Sequence, residues 1–156
     1  MAILAQDINV SVLGQPVYAA LSCNAADIHY QGAIVWIDTL GGAQVTGAAA
    51  DRVVGICTKQ QTTTAAGQEI EVLVSGYVWM PIGSGIAAAD EGELLVHDDS
   101  DAYTDNPADF KAAGDLTLAA NDAAVGKIVR VTSTQMLIEI GAFTGRIYDA
   151  TAAAWV

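Results

Sequence analysis

Ten of the 18 acidic residues fall between Asp90 and Asp122, and Lys111 is the single basic residue among them. Carboxylates at that density are hard oxygen donors, and Ca²⁺ takes roughly six to eight of them. Aligned as a calcium loop from Asp99, the segment places Asp101 third and Asp105 seventh. Thr104 then stands where the sharp turn requires glycine, and Phe110 where the bidentate glutamate belongs. The expectation is a solvated acidic loop over Asp98, Asp99, Asp101 and Asp105, with no metal ligand assigned.

The other reactive side chains are few. His29 and His97 are the only histidines, Cys23 and Cys57 the only cysteines. Their spacing matches neither a zinc site nor a catalytic triad, and no serine sits in a nucleophile elbow. The histidines read as ordinary strand residues and the cysteines as reduced core thiols. "GSGIAA" (83–88) opens like a dinucleotide loop, but Ala88 replaces the third glycine and no helix follows, so it reads as a turn. Paired carboxylates for glycoside hydrolysis depend on spatial separation, but 6% aromatic content is thin for a sugar cleft. No catalytic residue and no cofactor are expected; the chain does not read as an enzyme.

Elements that would position these groups read as strands. "AAGQEIEVLVSG" (65–76) alternates, with Ile70, Val72 and Val74 on one face and Glu69, Glu71, Leu73 and Ser75 on the other. It continues into "YVWMP" (77–81), with Gly76 as a bulge and Pro81 ending the ladder. "AAVGKIVRVTSTQMLIEIG" (123–141) reads as a hairpin turning at Thr132–Gln135. Val125, Val129 and Val131 share one face of its first strand, and Met136, Ile138 and Ile140 one face of its second. Further strands are expected at 17–21, 33–37, 53–58, 94–97 and 116–118. Glycines and an Asn106–Pro107 pair separate them. The fold expectation is all-β: a small barrel or sandwich of short antiparallel strands over residues 17–143. An extended N-terminal arm (1–16) and a C-terminal tail (144–156) flank it.

Composition narrows the partners. The chain has 156 residues, 6 Lys+Arg against 18 Asp+Glu, a net charge of -12 and 53% hydrophobic residues. One domain of this length buries about 70% of its unfolded surface, and the apolar content excludes disorder. Six scattered cations build no phosphate-binding stripe, so no nucleic acid is expected. The uncharged stretches 8–26 and 72–89 are broken by prolines, glycines and polar residues. No secretory leader and no membrane span are expected, and the protein reads as soluble. The apolar arm, with Ile3, Leu4, Ile8, Val10 and Val12, and the tail, with Trp155, suggest contact with a partner or closure of the chain's own barrel. Trp36 and Trp79 read as anchors of the core or of a subunit interface, and Trp155 as an inter-chain contact.

From Ile28 onward the order of segments resembles the head decoration, or capsid cement, proteins of tailed bacteriophages. "YQGAIVWID" (30–38) is similar to that family's opening strand, and "VVGICT" (53–58) to its Val-Gly-Val strand. "AAGQEIEVLVSGYVWMP" (65–81) resembles its central strands, "AADEGELLVHDDSDAYT" (88–104) its Ala-Asp-x-Gly turn and Asp-Asp pair, and "AVGKIVRVTSTQMLIEIG" (124–141) its closing hairpin. Residues 1–22 and 142–156 extend beyond the pattern, and His97 stands where an aromatic or valine is more usual.

The resemblance implies a structural virion protein, made in the bacterial host cytoplasm, that binds the outer face of the assembled capsid and stabilises it. Its partners would be the major capsid protein and itself, as a homotrimer; the trimer would multiply one weak patch by avidity. The capsid contact is expected through Ile3, Leu4, Ile8, Val10 and Val12, so that removing residues 2–12 abolishes binding and leaves the fold intact. Alternatives are another virion β module, from a tail or baseplate, or a Ca²⁺- or glycan-binding module built on the acidic loop.

Overall fold

The computed structural model describes residues 4–83, 85–97 and 104–156. These form strands β1 (Ser11–Ser22), β2 (Ile28–His29), β3 (Ile34–Ile37), β4 (Ala43–Gln44), β5 (Arg52–Ile56), β6 (Gln61–Thr62) and β7 (Glu69–Pro81). β8 (Leu94–His97), β9 (Lys111–Ala112), β10 (Ala123–Val131), β11 (Gln135–Ile140), β12 (Tyr148–Asp149) and β13 (Ala154–Trp155) follow. The fold is all-β, and its main antiparallel sheet, ordered β4-β3-β5-β7-β11-β10-β8-β9, curls into a half-barrel. β1 lies along the other edge of β7.

β7 organises the molecule because both its faces are used. Leu73, Val78 and Met80 enter the main core with Ile34, Trp36, Ile56, Phe110, Ile128 and Ile138. Ile70 and Val72 enter a second core with Leu4, Cys23, Val35 and Cys57. The alternation expected for 69–75 therefore holds only in part. Leu73, placed by pattern on the polar face, is fully buried, a side chain whose burial stabilises by about 2 kcal/mol. β3 is likewise shared: Ile34 and Trp36 face one core and Val35 the other, which explains its unbroken apolar run.

Two bulges reset the faces. Gly76, at φ 143°, shifts β7 so that Val78 and Met80 continue the face of Leu73. The matching irregularity in β1 spans Leu13 to Tyr18, around Pro16. In β10 a bulge between Ile128 and Arg130 puts Ile128 inside and leaves Val129 exposed, so the simple Val125–Val129–Val131 face is not formed. The hairpin itself forms as expected. Thr132 closes it, its N–H donating to the Gln135 carbonyl at 2.8 Å while its hydroxyl accepts from the Gln135 N–H at 3.0 Å.

The segment 116–118 is no strand. It follows a single 3-10 turn, Ala113–Asp115, and pairs with nothing among the described residues. At the N-terminus β1 begins at Ser11 and runs through the expected boundary at residue 16. At the C-terminus, β12 and β13 form a small hairpin against the start of β10. The Ala124 N–H donates to the Arg146 carbonyl, and the Tyr148 N–H to that of Asp122, both at 2.9 Å.

Candidate functional site

The side chains with reactive chemistry are taken up by packing. Cys23 and Cys57 are buried free thiols in the second core, and Cys23 Sγ lies 3.6 Å from His29 Nε2. Burial pushes the Cys57 thiol up to about 12 and raises that of Cys23, so both stay protonated and poorly nucleophilic. Burial also holds His29 below its ordinary value, in the neutral form. His97 is fully buried, edge-on to Trp36 at 5.3 Å and to Phe110 at 5.5 Å. Among the described residues no three His, Cys, Asp or Glu side chains group to hold a metal ion.

The acidic residues divide. Asp98, Asp99 and Asp101 lie outside the described residues. Asp105 was expected in a solvated loop but is 1% exposed. Its carboxylate accepts the Leu4 N–H at 2.7 Å, and its carbonyl the Ile34 N–H at 2.8 Å. Asp51, Asp90 and Asp122 are also buried. Each accepts a backbone N–H three residues upstream, from Ala48, Ala87 and Ala119, so they cap turns.

Of the arm residues expected to meet a capsid, Ile3 lies outside the described residues. The others pack on their own chain. Leu4 is buried in the second core and Ile8 lies against it, while Val10 and Val12 cover the main core. The Ile8 N–H donates to the Gln31 carbonyl at 2.9 Å, and Asp7 accepts the Gln31 N–H at 2.8 Å. Loss of residues 2–12 would therefore uncover both cores and remove the first rungs of the β1–β7 ladder. The expectation that the fold survives this deletion is corrected accordingly.

The tryptophans have three different settings. Trp36 is fully buried, its Nε1–H donating to the Thr104 carbonyl at 2.9 Å. It has no face left for a neighbouring subunit and belongs to the core alone. Trp155 is half-buried and meets Tyr148 edge-on at 5.4 Å across the β12–β13 pair, so its first contact is within the chain. Trp79 lies on the outer face of β7.

That outer face carries exposed apolar side chains near the centre of the sheet. Register places Leu13, Tyr77, Glu139 and Lys127 in one row across β1, β7, β11 and β10, and Trp79 beside Leu137 in the next. Leu13 and Tyr77 are 43% and 41% exposed. The second core covers this side of β7 at Ile70 and Val72, but Tyr77 and Trp79 belong to neither core. Two depressions of about 250 Å³ flank Tyr77, one towards Lys127 and Val129, the other towards Gly14 and Ser75. Beside the face, β1 pairs with β7 alone among the described strands. Its outer edge is therefore open over an uncharged strand, with Val17 54% exposed. Pro16 and the bulge divide that edge, a common protection against indiscriminate pairing, and Tyr18–Ser22 remains as an unbroken run. The sequence held part of this signal: a strand was expected at 17–21, which lies within β1, while residues 11–16 of the same strand were assigned to the arm.

Among the described residues no helix is long and apolar enough to cross a membrane. A scan of family models, a search of curated proteins and a search of solved structures each find no match to this chain.

Proposed function

We propose that this chain is a non-enzymatic virion protein that binds the outer face of an assembled phage capsid and stabilises it, as a homotrimer. The observation that carries the reading is the face with exposed Leu13 and Tyr77 and partly buried Trp79, beside the open, uncharged edge of β1. An apolar face next to a strand with one unpaired edge suits docking by strand addition, with backbone hydrogen bonds for affinity and aromatic side chains for anchoring. The capsid contact thus moves from the arm to Val17–Ser22, Leu13, Tyr77 and Trp79.

Further support comes from the order of sequence segments shared with decoration proteins, and from charge. A net charge of -12 suits a subunit facing away from packaged DNA. Few long charged side chains leave little rotamer entropy to lose on docking.

The test is cosedimentation with expanded, undecorated capsids of the parent phage, imaged by cryo-electron microscopy. The wild-type chain is expected to saturate three-fold positions, and a Tyr77→Glu, Trp79→Ser double variant with unchanged circular dichroism to bind at least about ten-fold more weakly. Absence of binding, or location on tails alone, would overturn the proposal.

A further inference from the structure

A second feature lies away from the face at Tyr77. A cleft of about 480 Å³ opens between the N-terminal segment and the β2–β6 ladder. Its walls are Leu4, Ile28, Tyr30 and Val45, and its polar part is Asp27 and Thr63. Thr63 is fully engaged. Its hydroxyl donates to the Ala25 carbonyl at 2.9 Å and accepts the Asp27 N–H at 3.0 Å, while its own N–H donates to the Asp27 carbonyl at 2.9 Å. These bonds fix the Asp27 backbone at the cleft. The Asp27 carboxylate takes no hydrogen bond and no ion pair from any described residue, and no lysine or arginine lines the cleft. Its charge also reaches inward, adding to the burial that raises the Asp105 carboxyl beneath Leu4.

The chemistry of the occupant follows from this arrangement. A neutral apolar ligand would desolvate Asp27 and leave it without a partner, which costs free energy. A second copy of this chain has few cationic side chains to offer the carboxylate, 6 Lys+Arg against 18 Asp+Glu. A side chain with an aliphatic stem and a cationic head satisfies both the walls and the carboxylate. We infer that this cleft is a docking site for a basic side chain, a lysine or arginine, presented by another protein. The head pairs with Asp27, and the stem lies with a neighbouring apolar residue along Leu4, Ile28, Tyr30 and Val45. The inference does not rest on the capsid reading, and its test uses the isolated chain, so either can fail alone.

The probes are two peptides, acetyl-Gly-Leu-Lys-Leu-Gly-amide and its counterpart with norleucine for lysine. Each is titrated into ¹⁵N-labelled protein and followed by amide chemical shifts. The lysine peptide is expected to shift Ala26, Asp27, Ile28, Val45 and Thr63 saturably, about ten-fold more tightly than the norleucine peptide. Asp27→Asn is expected to abolish that difference. Equal affinity for both peptides would reduce the site to an apolar cleft, and no shift up to about millimolar peptide would remove it altogether. Shifts at the same amides on concentrating the protein alone would assign the cleft to a second copy. Each of these three outcomes overturns the inference. Should Asp27→Asn not fold, the two peptides on the wild-type chain decide the matter.

Discussion

The backbone N–H of Leu4 donates to the buried carboxylate of Asp105 at 2.7 Å, joining residues 101 apart in the chain. The bond anchors the N-terminal segment to the chain that follows the acidic run, and it does so with a group poorly suited to burial. Desolvation pushes the Asp105 carboxyl up to about 6; the Leu4 bond opposes the shift, and Asp27 and Asp109 add to it. A carboxyl that holds its proton more tightly folded than unfolded contributes stability below its ordinary value of 3.8. That contribution is lost as pH rises through about 6. Buried His29 acts in the opposite sense, costing stability as pH falls below 6.5. Asp105→Asn keeps the acceptor and removes the charge. Its unfolding free energy from urea titration should exceed that of the wild type at pH 7.5, by roughly 1–2 kcal/mol, and the two should converge near pH 4. A constant difference across that range would disprove the assignment.

Gly32 lies under the side chains of Ile8 and Val10, where a Cβ has no room, and its φ is +85°. Gly32→Ala should lift the N-terminal segment, costing about 2 kcal/mol or more and exposing residues 4–10 to limited proteolysis. Gly67, with nearly the same φ but open space around it, is the control. Gly67→Ala should cost only about 1 kcal/mol and leave the proteolytic pattern unchanged.

The two thiols should be silent in the folded protein. With Cys57 raised to about 12 and Cys23 raised by burial, their reaction with a disulfide reagent at pH 8 should be at least about a hundred-fold slower than in guanidinium. Rapid native-state labelling of either cysteine would contradict the described packing.

Trp36 and Trp79 should separate sharply on truncation. Trp36→Ala opens a large cavity between β3 and the strands facing it and removes the bond to Thr104, for a loss of about 4 kcal/mol in denaturant unfolding. Trp79→Ala, on the outer face, should cost about 1 kcal/mol. Comparable losses would mean that the face of Trp79 is covered within the chain itself.

What the sequence by itself determined was local. Alternation of β-branched residues, the stop at Pro81 and the polar turn at Thr132–Gln135 specified β7 and the β10–β11 hairpin, because these depend on neighbours a few residues away. The short strands β2, β4, β6 and β9 carried no periodic signal, being two residues each; β2, β6 and β9 are held by distant partners, and β4 by β3 just upstream. Which face each residue takes beyond a bulge was decided only by tertiary structure, as Val129 and Leu73 illustrate. The same holds for the candidate sites. An uncharged window at 8–26 was visible, but whether it is a free arm or an edge strand depends on the register with β7, some 60 residues downstream. Asp105 and Asp27 look alike in sequence. One is buried beneath Leu4 and the other lines an open cleft, because long-range packing, rather than residue type, decides which carboxylates lose their water.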